Sequence, residues 1–260
     1  MFDAHCHLTD IDDPEEVLQQ AWESGVRSVL CCGYHSESNR AVCDLHQRVP
    51  QLPFALGLHP WFAEEPVAPV LEAVERWRPV AVGEAGLDLW GDPSPAALER
   101  QFEVLEAQLA LAARLGLPVT LHSRKAVAAI AAVLQSHPKV RGALHAYSGS
   151  YEQAKPLVDR GFYIGVGGAV TRIRAKRVRR CAQALPLDCI VLETDAPAIG
   201  MDGVEPPLVR PAHLGRVATA LAELRDISVE QVVEQTDANA VELFGPRVAA
   251  VLGREVTASE

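Results

Sequence analysis

The chain is short of positive charge. Its 24 Lys and Arg face 34 Asp and Glu, a formal net charge of −10 over 260 residues, and only four of the cations are Lys. So acidic a protein is neither a general nucleic-acid coat nor an anionic-membrane binder, because long-range repulsion opposes both. A metal or a local basic patch can still hold a phosphate. No uncharged apolar run reaches 18 residues, so no membrane span is expected. The opening MFDAHCHLTD lacks the basic-then-apolar order of a signal peptide. None of the six cysteines (Cys6, Cys31, Cys32, Cys43, Cys181 and Cys189) forms a CxxC pair. In a chain this long that excludes a disulfide framework, and reduced, mostly buried thiols in a cytoplasmic protein are expected; a monomer is expected as well. There is no linker-like segment, internal repeat or low-complexity tract.

What is present is apolar mass. Hydrophobic residues make up 48% and charged residues 22%, which excludes a disordered chain and supplies one large core. Short β-branched runs alternate with polar or Gly turns and helical periodicity, the rhythm of βα units around a parallel sheet. Eight strands are predicted: Phe2–His5, Arg27–Cys32, Pro53–Gly57, Val80–Gly83, Pro118–Leu121, Arg141–Leu144, Gly161–Gly165 and Cys189–Leu192. The clearest helix is Ser94–Leu115. Ser-Pro opens it, Gly116 closes it, and Leu98, Phe102, Leu105, Leu109 and Ala112 recur at helical spacing. A long loop to about Val209 precedes helices near Pro211–Leu224 and Val229–Phe244. Eight such units in this length predict an α/β protein, a (β/α)8 TIM barrel forming a single domain over 1–260, with a doubly wound open sheet as the rival.

The chemistry lies in where these strands end. His5-Cys6-His7, His59, Glu84, His122, His145 and Asp195 all stand at or just after predicted strand ends. In a parallel barrel those ends gather on one face, where active sites of this fold lie. Four His (His5, His7, His122 and His145) and two carboxylates (Glu84 and Asp195) exceed what one catalytic zinc needs and suit two metals sharing a bridging group. A strand has a side-chain period of two, so His5 and His7 share a side while Cys6 points away into apolar surroundings. The mixed imidazole and carboxylate set does not fix the metal. His35, His46, His137 and His213 fall in predicted helices or loops and are read as structural or solvent-facing. Asp88 either contacts substrate or caps a turn. Arg124 either clamps a phosphate or carboxylate as a bidentate fork or forms a loop ion pair. Thr171–Arg180 carries six cations in ten residues. Without interleaved aromatics it is read as a solvated helix face rather than a polyanion footprint.

In this order FDAHCH (Phe2–His7), GLHP (Gly57–Pro60), VGEAGLD (Val82–Asp88), QFEVLEAQLALA before LPVTLHSR (Gln101–Arg124), HAYSGS (His145–Ser150), YIGVGG (Tyr163–Gly168), ETDAP (Glu193–Pro197) and TDANAVELFG (Thr236–Gly245) resemble the TatD family of metal-dependent hydrolases, within the wider amidohydrolase group. The resemblance covers essentially the whole chain. It implies a (β/α)8 barrel with two divalent ions, zinc or magnesium or manganese. His5, His7, Glu84 and Asp195 would hold one and Glu84, His122 and His145 the other, with Glu84 bridging. Two positions depart from the family pattern: Tyr147 stands where an HxFxG aromatic is usual, and Pro207-Leu208-Val209-Arg210-Pro211 lacks the usual Asn-Glu.

Members are commonly described as deoxyribonucleases, so the resemblance implies metal-assisted phosphodiester hydrolysis. Asp195 and Glu84 are the expected catalytic residues, Asp195 taking a proton from the attacking water. His59, Arg124, the Ser148-Gly149 turn and Asp88 are the candidate substrate contacts. The acidic surface favours local, end-directed handling of nucleic-acid ends or short oligonucleotides. The alternatives are an esterase, amidase or deacylase on a small or tRNA-linked substrate, and a non-catalytic metal-dependent scaffold.

Overall fold

The structure, a computed structural model, describes residues 1–254; the last six residues of the expected 1–260 domain lie outside the described residues. Eight parallel strands follow one another around a barrel: β1 (Phe2–Cys6), β2 (Ser28–Cys32), β3 (Phe54–Leu56), β4 (Ala81–Asp88), β5 (Val119–Arg124), β6 (Gly142–Leu144), β7 (Tyr163–Val166) and β8 (Ile190–Leu192). β8 meets β1 through Asp195 N–H on His5 O at 3.0 Å and His7 N–H on Ala196 O at 2.8 Å. The Asp3 carboxylate reinforces this seam, accepting from Thr194 N at 2.9 Å and Thr194 Oγ1 at 2.5 Å. All eight predicted strands are present, within a few residues at their edges, and the open-sheet rival is excluded.

The helices form an outer layer: α1 (Pro14–Glu23), α2 (Ser36–Arg48), α3 (Ala68–Trp77), α4 (Pro95–Leu115), α5 (Val127–Gln135), α6 (Tyr151–Val158), α7 (Lys176–Ala184), α8 (Leu214–Arg225), α9 (Val229–Phe244) and α10 (Pro246–Leu252). α4 begins and ends as its sequence predicts. Ser94 Oγ accepts from Ala97 N at 3.2 Å, and Gly116 leaves the helix at φ +67°. α4 also buries two polar side chains. Gln101 exchanges hydrogen bonds with the backbone of Asp88, and Gln108 with the backbone of Leu58. Two side chains seven residues apart, two helical turns, thus hold the end of β4 and the loop after β3.

The core has two parts. Apolar strand residues such as Val29, Cys31, Phe54, Leu56, Val119 and Leu121 pack outward against the helices. Inside the barrel, Ala4, Leu30, Cys32, Ala55, Ala81, Ala143 and Val191 pack with Leu243, Phe244 and Val248, so α9 and α10 close the barrel's lower end. No helix of the described residues is long and apolar enough to cross a membrane.

β5 runs past the expected Leu121 to Arg124, so that His122 lies within it, and β4 differs most. It continues past Gly83 to Asp88, pairing with β5 as far as Asp88 opposite Arg124. The continuation needs glycine: Gly86 has φ +143°, and a Cβ there would lie 2.1 Å from His122 O. Register shifts mark a bulge in β1 between Asp3 and Cys6 and another in β4 between Val82 and Ala85. An extra residue reverses the inward-outward alternation of a strand. Ala4 faces the barrel interior, and so do His5 and His7 beyond the bulge, while Cys6 turns to the outer core. The β4 bulge does the same for Glu84.

Candidate metal centre

Glu84 is the hub. Its Oε2 lies 3.3 Å from both His5 Nε2 and His7 Nε2. Its Oε1 lies 3.2 Å from His59 Nε2, 3.2 Å from His122 Nδ1 and 2.8 Å from His145 Nε2. Asp195 completes the first group, with Oδ1 3.3 Å from His7 Nε2 and 3.9 Å from His5 Nε2. The six predicted ligand residues and His59 therefore meet around one carboxylate, and all but His122 are fully buried. His145 stacks on His5 with ring centroids 3.9 Å apart.

The donor chemistry of this cluster calls for cations. His7 Nδ1 faces the Cys32 carbonyl at 3.0 Å, so it carries the proton, and its Nε2 lone pair is aimed at two carboxylate oxygens. His122 repeats the arrangement, with Nε2 on Asp88 Oδ2 at 3.1 Å and Nδ1 toward Glu84. Acceptor facing acceptor at this range is repulsive unless a proton or metal ion lies between them. His5 Nε2, His145 Nε2 and Asp195 Oδ1 are buried without a hydrogen-bond partner, although His145 Nε2 lies 2.8 Å from Glu84 Oε1. Each such group costs about 1–3 kcal/mol unless something else satisfies it. A divalent ion on each side of Glu84 would satisfy all three, so the residues present fit a metal centre. Thr120, Cys32 and Asp88 behind the rings are the outer partners that metal-binding histidines use to fix their orientation.

Titration follows the same demand. Burial opposes ionisation of Glu84, yet the facing charges of His145 and His59 and the close ring nitrogens of His122 and His145 hold it well below the carboxylate range. Burial likewise opposes ionisation of Asp195, and the His7 ring nitrogen beside it, with the charges of His145, His5 and His7, outweighs that. His5 is lowered to about 4, first by burial and then by the neighbouring His145. His122 goes the other way: burial lowers it, but the carboxylates of Asp88 and Glu84 on its two sides raise it to about 9.

His59 has a different role from the other rings. It caps the 3-10 turn Pro60–Phe62, its Nδ1 accepting from Trp61 N at 3.1 Å. In the neutral ring the proton therefore sits on Nε2, which can donate to Glu84 Oε1 and has no lone pair for a metal. Distance alone would group it with Glu84 and His122 as a ligand set; the capping contact makes it a donor.

The other sequence candidates are spread more widely. Asp88 sits behind His122, where it also accepts from Trp61 Nε1 at 2.7 Å and Trp90 N at 2.8 Å. Arg124 is exposed, lines the central cavity and lies over the Trp90 ring, Cζ 4.3 Å from its centroid. Ser148 is exposed on the loop after β6, outside the cavity lining. His35 caps α2, His46 reaches Leu52 O, His137 faces Glu106 and His213 accepts from Arg210 N. The Arg-rich stretch runs from the 3-10 turn Gly168–Thr171 into α7, mostly exposed.

A cavity of about 510 Å³ opens over this centre. Besides the hub residues it is lined by Asp10, Tyr34, Trp61, Ala146, Ala198 and Ile199, none of them singled out in the sequence. Only their position beside strand ends could have indicated them. Asp195 at φ +52° and Ala146 at φ +45° are non-glycine residues in the left-handed region, where the chain turns sharply out of its strands at the cavity.

Comparison with known proteins agrees with this geometry. The family model described as TatD related DNase matches residues 2–245. The Escherichia coli protein YjjV, described as an uncharacterized metal-dependent hydrolase, is 39% identical over 253 residues, covering 93% of this chain and 96% of the relative. A Citrobacter rodentium relative, named 3'-5' ssDNA/RNA exonuclease TatD, is 34% identical, covering 94% and 98%. The crystal structure of E. coli YjjV superposes with a TM-score of 0.86 at 36% identity, covering 94% of this chain and 97% of that one. A barrel closed at the β1–β8 seam, histidines gathered on one buried glutamate, and matches over nearly the whole length place the chain in the TatD-related DNase family, as a metal-dependent hydrolase.

Proposed function

We propose that this protein is a two-metal phosphodiesterase that shortens single-stranded DNA or short oligonucleotides from an end. The observation that carries the reading is Glu84, whose two oxygens face separate groups of histidines. His5, His7, Glu84 and Asp195 would hold one divalent ion, and Glu84, His122 and His145 the second. When bound, such ions supply an acidified water and a polarised phosphoryl oxygen.

The chain's own residues do the remaining work. Asp195 lines the cavity as an ionised carboxylate and takes the proton of the attacking water. His59 donates its one Nε2–H to Glu84 Oε1 and so holds that carboxylate in place beside the phosphate. Arg124 adds a guanidinium at the rim, where it steers the anion inward. Ser148 lies outside the cavity and contributes nothing to this capture. The net charge of −10 supports local capture of an end over tracking along a polyanion. A cavity of about 510 Å³ suits a nucleotide unit better than a duplex. The exonuclease named among the relatives supports the same substrate class. The six free, buried thiols support the cytoplasmic location.

The test is hydrolysis of an end-labelled single-stranded DNA oligonucleotide by metal-stripped protein resupplied with Mg2+, Mn2+ or Zn2+, beside Asp195→Asn. The expected result is metal-dependent shortening, with the variant slower by about 100-fold or more. No cleavage above the variant with any metal overturns DNA hydrolysis and turns attention to ester and amide substrates.

A further inference from the structure

The chain holds four tryptophans, and two of them stand half exposed beside the metal centre: Trp61 at 65% and Trp90 at 56%. Indoles are usually more covered than this, and two so close together signify a contact surface. They wall a second cavity of about 240 Å³, which shares Trp61 with the central one. Asp88 fixes both, accepting the Trp61 indole N–H and the Trp90 backbone N–H while holding His122. Arg124 and Lys125 lie over the Trp90 ring at 4.3 and 4.4 Å, and Arg124 also lines the central cavity.

We infer that this side cavity is a base-binding subsite. It takes one nucleobase of a single-stranded substrate by stacking on Trp61 and Trp90 while the attached phosphate enters the metal cavity past Arg124. The charges decide the orientation. The side cavity is lined by Glu64 and Asp88, which repel a phosphate. Arg124, which lies over Trp90, lines the central cavity instead. Stacking reads no particular base, because every base has a π face, so the subsite confers a demand for a base without a sequence preference. The inference rests on the nuclease reading for its substrate and extends it.

Two measurements on the metal-loaded protein test the subsite. Indole fluorescence is titrated with deoxyadenosine monophosphate and with deoxyribose 5-phosphate, neither of which contains a phosphodiester. Saturable quenching by the first and not the second is expected, lost in Trp90→Ala and kept in Trp90→Phe. The KM for an oligonucleotide rises about tenfold in Trp90→Ala, more than kcat falls, and Trp90→Phe restores it; the distant Trp22→Ala moves neither. Equal quenching by both ligands, or an unchanged KM in Trp90→Ala, overturns the subsite and leaves the nuclease reading intact. Base-dependent quenching without oligonucleotide cleavage overturns the nuclease reading and leaves the subsite standing.

Discussion

Asp88 holds His122 by the nitrogen that faces away from Glu84. The 3.1 Å contact from Asp88 Oδ2 to His122 Nε2 commits the ring proton, so the Nδ1 lone pair points to the centre. The carboxylate lies outside the ligand cluster and acts on it through the ring.

Asp88→Asn is therefore expected to weaken metal binding without removing a ligand. Loss of an outer partner of this kind typically costs 10–100-fold in affinity. Isothermal titration of metal-stripped protein measures it, and an unchanged affinity would show that His122 keeps its orientation without Asp88.

Gly86→Ala should be among the most damaging single changes in the barrel. Its Cβ would lie 2.1 Å from His122 O on backbone with φ +143°, so β4 and β5 must separate where they carry Glu84 and His122. A loss of more than about 3 kcal/mol, read by denaturant unfolding, is expected with reduced metal content.

Gln108→Leu removes a side chain that pairs with both the N–H and the C=O of Leu58. Two buried backbone groups are left unpaired at about 1–3 kcal/mol each. His59 is the next residue, so the variant should lose activity at substrate saturation as well as thermal stability. Stability lost with kcat unchanged would refute a link between α4 and His59.

The six free thiols are buried, and burial pushes each of them up, Cys31 and Cys189 to about 12 and Cys43 and Cys181 to about 11. Since the thiolate is the reactive form, a disulfide reagent at pH 8 should titrate none of them quickly in the native protein and all six in guanidinium. Fast reaction of one thiol would reveal local opening around it.

Legibility in the sequence tracked how local each signal was. Period-two runs and Ser-Pro or Gly punctuation mark the strands and α4, and the strand-end rule brings His5, His7, Glu84, His122, His145 and Asp195 to one face. The run of β4 to Asp88 was hidden because Gly83-Glu84-Ala85-Gly86 looks like a strand ending in a turn. Its pairing depends on how closely β5 approaches, which is not encoded locally. Tautomers were hidden as well. His59 and His122 have the same residue type at the same kind of position, and only their partners, Trp61 N–H and Asp88, make one a donor and the other a lone pair. Trp61 and Trp90 carried no periodic signal because they stand on irregular segments.

The β1–β8 seam gives the metal centre a place in time. Asp195 is the last of its residues to leave the ribosome, some 190 positions after His5, and the same turn supplies the backbone contacts that close the barrel. A nascent chain that stops short of β8 lacks both the last carboxylate and the closure that orients the first two histidines. The group of His5, His7 and Asp195 is thus the one that waits for barrel closure, whereas Glu84, His122 and His145 are all in place on or just after β4 to β6 before β8 is made.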